Sequence, residues 1–148
     1  MEYAKNLGTE ILEQYRQQLA SDEKKSLESL EPDKTVLVIV DMVNGFVREG
    51  ALSSPNAETI VPGIAGLMQA CTRRGYRQIF FADCHTPDSP EFSAYPVHCV
   101  EGTAECEPVK ELAELGGYQL IRKNSTNGSQ EPEFREWLTE SPEIENFV

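Results

Sequence analysis

Residues 35–46 read TVLVIVDMVNGF. Val36 to Val40 is apolar throughout, with no polar alternation, which is the pattern of a parallel strand buried on both faces. The run ends in Asp41. A carboxylate at the C-terminal end of a central strand stands where open α/β sheets bind their ligands. From about Thr59 a helix is expected, with Ile60, Val61, Ile64, Leu67, Met68 and Cys71 as its apolar stripe and Pro62 in its first turn. Arg73 and Arg74 suit the negative end of its dipole and Gly75 suits the position just past its end. A second apolar run, Gln78 to Ala82, leads into Asp83. Strand, helix, strand in this span is a βαβ unit, so the fold class is α/β with a parallel sheet, and Asp41 and Asp83 share one edge of it.

The next stretch, ADCHTPDSPEFSAYPVHCV (residues 82–100), holds both histidines of the chain, His85 and His98. In an extended strand residues i and i+2 point the same way, so Asp83 and His85 can aim at one point. His98 can return to that point across the proline- and serine-rich loop. One aspartate and two histidines suit zinc, iron or manganese, and three protein ligands leave positions open for water or substrate. The triplet alone is weak evidence for a metal, and a lone later histidine is weaker.

Further on, Ala104 to Leu115 reads as a helix stopped by Gly116 and Gly117, and Tyr118 to Arg122 as a third strand leading into Lys123. Residues 124–134 read as a loop, Phe134 to Thr139 as a short helix, and Glu145 to Val148 as the opening of a fourth strand. Met42 to Pro55 reads as a loop carrying Phe46, which could wall a small-molecule pocket or simply pack. Residues 1–33 read as an appendage, a helix with Ile11, Leu12, Tyr15 and Leu19 on one face followed by a charged linker from Ser21. Residues 34–148 form the domain.

The chain has 148 residues and a formal net charge of −12, which argues against nucleic acid or an anionic membrane as partner. No basic and apolar leader opens it, and Val36 to Val40 is too short to span a bilayer. A cytoplasmic location is expected. The four cysteines, Cys71, Cys84, Cys99 and Cys106, form no CxxC pair, so reduced thiols are expected.

Three strand ends therefore bring Asp41, the pair Asp83/His85, and Lys123 to one edge. A carboxylate can serve as general base, a lysine can orient it or stabilise negative charge, and a metal can hold a substrate. Taken singly, Lys123 also reads as a solvated strand-end lysine and Asp41 as a loop cap. The set suits hydrolysis of a small polar substrate but shows no obvious nucleophile.

From about Thr35 to Val148 the chain resembles the isochorismatase-like cysteine hydrolases, and within them the nicotinamidases. The resemblance rests on VDMVNGF (residues 40–46), ADCH (82–85), YPVHCVEGT (95–103) and LIRKNST (120–126). It implies a three-layer α/β/α fold with a parallel sheet. It places the catalytic aspartate on Asp41, the catalytic lysine on Lys123 and a pocket aromatic on Phe46. It places the metal ligands on Asp83, His85 and His98, with Glu91, seven residues before His98, as a fourth candidate. Zinc is the expected metal, with iron or manganese as alternatives. The implied reaction converts nicotinamide to nicotinate and ammonia through a cysteine thioester.

This chain departs from the family in having Cys84 between Asp83 and His85. It also reaches Val148 before the expected nucleophile cysteine, which the resemblance places on the loop after the fourth strand. Cys99 is the one available substitute, but the resemblance places it beside a metal ligand, and Cys71 and Cys106 read as structural. Without further strands, Val36 to Val40 would be a bare apolar edge. The 148 residues alone are therefore expected to be poorly soluble and inactive, or to be completed by another segment or a homo-oligomer. Rival readings are a cysteine hydrolase acting on another small amide or ester, a non-catalytic metal-binding chain, and a metallohydrolase that activates water.

Overall fold

The apolar runs become strands whose side chains alternate between two cores. The computed structural model describes residues 2–21 and 25–148, with side chains from residue 10 onward within those ranges. Strands β1 (Thr35–Val40), β2 (Arg77–Asp83), β3 (Gln119–Lys123) and β4 (Asn146–Phe147) form one sheet in the order β3-β2-β1-β4, and every pairing is parallel. On one face, Leu37, Ile39, Phe80 and Ala82 pack with Val61, Met68 and Cys71 of a long helix. On the other, Val36, Ile79, Phe81 and Ile121 pack with Phe134 and Trp137 of a short one. Burial on both faces is why the strands read as unbroken apolar runs. Helix, sheet, helix is the three-layer arrangement.

Five helices accompany the sheet among the described residues: α1 (Glu2–Ser21), α2 (Asn44–Val47), α3 (Pro55–Arg74), α4 (Lys110–Ala113) and α5 (Pro132–Glu140). Helix α3 is the crossover from β1 to β2. It starts four residues earlier than expected, because Ser54 caps it by accepting the Asn56 N–H and Pro55 takes the first helical position. Pro62 thus lies inside the helix rather than in its first turn. The buried stripe is Val61, Met68 and Cys71, while Ile60 and Leu67 are exposed. Gly75 ends the helix at φ 79°, with its N–H on the Cys71 and Thr72 carbonyls.

The segment expected as one helix from Ala104 to Leu115 is broken. Pro108 pushes Glu107 into an extended conformation, leaving a 3-10 turn (Ala104–Cys106) and α4. The break frees residues 107–109 to pair with the loop after β1. The Asn44 N–H donates to the Glu107 carbonyl at 2.9 Å and the Val109 N–H to the Met42 carbonyl at 3.0 Å. That loop is accordingly not irregular throughout, since α2 forms within it.

Part of the expected linker is docked. Leu27 and Leu30 pack against the larger core, and the Tyr76 hydroxyl lies 2.6 and 2.8 Å from their carbonyl oxygens. The first linker residues, 22–24, lie outside the described residues. On α1, Ile11, Leu12, Tyr15 and Leu19 are exposed. Strand β4 pairs with β1 through Thr35↔Asn146 and Val36↔Phe147, the Val148 carbonyl accepts the Val38 N–H at 2.8 Å, and Val40, beyond them, is 52 % exposed.

Candidate active site

Register places the charged groups. Asp83 and Lys123 are direct partners across β2 and β3, and Val40, one residue before Asp41, is opposite Phe81. All three strand ends therefore deliver their side chains to the same edge. Lys123, 2 % exposed, lies 2.5 Å from Asp83 Oδ1 and 3.1 Å from Asp41 Oδ1. The second contact is poorly directed for a hydrogen bond, so the Lys123 ammonium acts on Asp41 Oδ1 mainly as a nearby charge. Burial raises the Asp41 carboxyl above its ordinary pKa range, against the pull of Lys123. For Lys123, burial favours the neutral amine, but the hydrogen bond to Asp83 and the charges of Asp41 and Asp83 outweigh it and raise its pKa. Asp41 sits at φ 59°, a conformation uncommon for a residue with a side chain.

The second half of the site is Asp83, His85 and His98. The Asp83 and His85 side chains do lie on one side, with His85 Nε2 3.0 Å from Asp83 Oδ2. A short parallel bridge between His85 and Val100 brings the later loop back. The His85 N–H donates to the Cys99 carbonyl at 2.7 Å and the Glu101 N–H to the His85 carbonyl at 2.8 Å. That bridge sets His98 Nε2 3.2 Å from the same Oδ2. Ligand atoms of the three residues all lie within 4.8 Å of one another, and the three residues are buried.

The opposite ring nitrogens decide what can sit between them. His98 Nδ1 is 2.7 Å from the Pro96 carbonyl oxygen, which only accepts. His85 Nδ1 is 3.1 Å from Asn124 Oδ1, and the Thr86 N–H, 3.3 Å from the same atom, marks it as the oxygen. Both Nδ1 atoms must therefore carry hydrogen, and in neutral rings both Nε2 lone pairs face the Asp83 carboxylate. Three acceptors converging at 3.0 and 3.2 Å need a cation between them. Protons on both Nε2 atoms would instead place two imidazolium ions, ring centroids 4.8 Å apart, beside the Lys123 ammonium. A divalent cation also balances the charges of Asp41, Asp83 and Glu91 against Lys123. The donor set of two imidazoles and one carboxylate fits zinc, iron or manganese.

Glu91 faces this group from the 3-10 turn Pro90–Ser93, its Oε2 3.9 Å from His85 Nε2, outside the tight cluster. Phe46, on α2, lies 5.6 Å from the His98 ring. Two neighbours had no signal in the sequence reading. Phe92 packs edge-on at 5.5 Å from His85 and 5.7 Å from His98. Asn124 orients His85 from the residue after Lys123. Cys99 is buried at φ 43°, and burial, followed by the charge of Asp83, pushes its thiol far above the ordinary range, which is unlike an activated nucleophile. No helix among the described residues is long and apolar enough to cross a membrane.

The isochorismatase domain model matches residues 35–147. The chain belongs to the isochorismatase family. Among curated relatives, nicotinamidase 1 of Arabidopsis thaliana is 36 % identical over 128 residues, covering 80 % of this chain and 52 % of its own length. This isochorismatase-family chain thus spans about half the length of that relative. The N-carbamoylsarcosine amidase of Thermoplasma acidophilum superposes with a TM-score of 0.70 at 28 % identity, over 78 % of this chain and 65 % of its own. The nicotinamidase of Bacillus subtilis superposes at 0.67 and 27 % identity, over 77 % of this chain and 68 % of its own. A pyrazinamidase of Pyrococcus horikoshii, solved in complex with zinc, shares the fold at 22 % identity, with a TM-score of 0.65 over 77 % of this chain and 68 % of its own.

Proposed function

We propose that this chain supplies the metal-binding and base-bearing part of a metal-dependent, nicotinamidase-type amidohydrolase. The observation that carries the reading is the pair of histidines whose Nδ1–H groups are committed elsewhere, leaving two lone pairs and a carboxylate aimed at one point beside Lys123 and Asp41. The reaction is hydrolysis of nicotinamide to nicotinate and ammonia through a cysteine thioester, the cysteine lying beyond Val148.

Asp83, His85 and His98 hold the metal, with Glu91 near enough to join through a small movement or a water. Zinc fits best. Bound there, it supplies Lewis-acid binding of the pyridine nitrogen. Asp41 takes the proton of the attacking thiol. Its carboxyl pKa, raised by burial against the pull of Lys123, suits a proton acceptor. Lys123 stays charged, fixes Asp41 and Asp83 relative to each other, and stabilises negative charge as it develops. Phe46 and Phe92 flank the ring. The enzyme is cytoplasmic and works as a homo-oligomer or with its C-terminal strands completed.

The test compares ammonia release from nicotinamide and from benzamide, which lacks the ring nitrogen. A polypeptide extended through the C-terminal strands should turn over nicotinamide far faster than benzamide and lose activity on thiol alkylation. Full activity after alkylation would instead favour activation of water by the metal. The similarity to the N-carbamoylsarcosine amidase favours a second reading, an amidase for another small amide. Faster hydrolysis of carbamoyl amines than of nicotinamide would establish it.

A further inference from the structure

Glu105 takes no part in the chemistry above, yet its carboxylate is built into the turn that joins the two histidines. Cys99, next to His98, sits at φ 43°, a left-handed backbone that a residue with a side chain keeps only where its surroundings impose it. Both backbone polar groups of Cys99 are tied. Its carbonyl accepts the His85 N–H at 2.7 Å, and its N–H donates to Glu105 Oε2 at 2.8 Å. One buried residue thus connects His98, its chain neighbour, to His85, its hydrogen-bond partner. The carboxylate that holds it is closely seated. Glu105 lies on the 3-10 turn Ala104–Cys106, where Asn44 Nδ2 donates to the Ala104 carbonyl at 3.0 Å. A Cβ added to Gly50, at φ 93°, would lie 2.7 Å from the Glu105 carboxyl carbon, and one added to Gly45 would lie 3.1 Å from the Glu105 Cβ. Bare backbone at two glycines gives the side chain its path to Cys99. An ionised acceptor there makes a stronger bond to the N–H than a neutral one would.

We propose that Glu105 is a positioning residue for the metal site: by holding the Cys99 N–H it fixes the left-handed turn and, through it, the directions of His85 and His98. The inference rests on the reading of Asp83, His85 and His98 as metal ligands. Glu105 acts through the backbone of Cys99 rather than on the metal. With the N–H released, Cys99 is free to relax to negative φ. That relaxation rotates the chain at His98 and loosens the carbonyl that holds His85, so both imidazoles lose their common aim at Asp83.

The test uses two variants of similar bulk. Glu105→Gln keeps an acceptor oxygen, whereas Glu105→Met fills the space beside Gly45 and Gly50 without one. Zinc affinity is measured by competition with a chromogenic chelator. The visible spectrum of the cobalt(II)-loaded chain reports ligand geometry, and amide hydrogen exchange of the metal-free chain reports the turn itself. Glu105→Met should bind zinc about 10–100-fold more weakly than the parent, with an altered cobalt spectrum and faster exchange at His85 and Cys99. Glu105→Gln should recover most of the affinity and the parental spectrum. Equal affinity and spectra for Glu105→Met and the parent would overturn the proposal, as would a Glu105→Gln as impaired as Glu105→Met. A Glu105→Met chain that no longer folds would assign Glu105 to the fold rather than to the histidines, and would overturn it too. A parent that binds neither ion would instead refute the metal reading, and this inference would fall with it.

Discussion

At the residue scale, Asp41 carries two burdens that its proposed role explains, a left-handed backbone and a half-buried carboxyl with a raised pKa. The carboxyl's pKa is higher folded than unfolded, so its contribution to stability is most favourable below the unfolded value and is lost as pH rises through the folded one. Asp41→Asn should therefore be more stable than the parent at neutral pH, with a gap that narrows as pH falls below the ordinary aspartate range. A residual advantage should remain there, because asparagine tolerates φ 59° well. Melting temperature against pH for both proteins checks this, and an equal gap at every pH would refute the burial argument. Asn124 is exposed and should be dispensable for folding. Asn124→Ala should weaken zinc binding about 10–100-fold while changing thermal unfolding of the metal-free chain much less, because it removes the hydrogen bond that orients His85 together with only two long, exposed contacts to Thr86. A competition titration with a chromogenic chelator reads it. Residue types at strand ends made Asp41, Asp83, His85 and Lys123 legible as one cluster, because a two-residue period and a βαβ unit fix their direction and edge. Phe92 and Asn124 were not legible. Phe92 is placed by the folding back of the loop after His85, and Asn124 acts only because that loop's start meets the end of β3, neither of which a periodicity encodes.

At the scale of elements, the strands were readable to within a residue or so because their burial on both faces leaves a plain apolar signature. The helices were read less well wherever proline intervened. Pro55 starts α3 and Pro62 is carried inside it, whereas Pro108 divides a helix that an apolar pattern alone would have continued. The division has a purpose in packing, since residues 107–109 anchor the loop carrying α2. Gly45 shows how tight that joint is. A Cβ added there would lie 2.5 Å from Cys99 Sγ and 3.2 Å from the Glu105 carbonyl oxygen. Gly45→Ala should thus destabilise the chain by about 1–3 kcal/mol, the usual range for overpacking. Urea unfolding measures it, and an unchanged midpoint would mean that the joint is loose.

At the scale of the molecule, α3 and α5 cover the two faces of the sheet, but the end of β1 beyond its pairing with β4 is left open. Val40, Phe147 and Val148 are exposed and line, with Val38, Phe81, Phe134 and Lys123, a groove of about 560 Å³. An apolar strand edge of this kind promotes association. The 148-residue chain should scatter light increasingly with concentration, and Val40→Lys should suppress this. Monodisperse behaviour of the unsubstituted chain at high concentration would count against it. The parallel α/β architecture was legible from three apolar runs. The docking of Leu27 and Leu30 was not, because two leucines in a charged run carry no period.

The claim on which the functional reading stands is that Asp83, His85 and His98 bind a divalent cation. The most direct measurement is the zinc content of the chain after equilibrium dialysis, determined by elemental mass spectrometry alongside His98→Ala. One zinc per chain, lost in the variant, is the expected result. No zinc in either protein, or equal zinc in both, would contradict it.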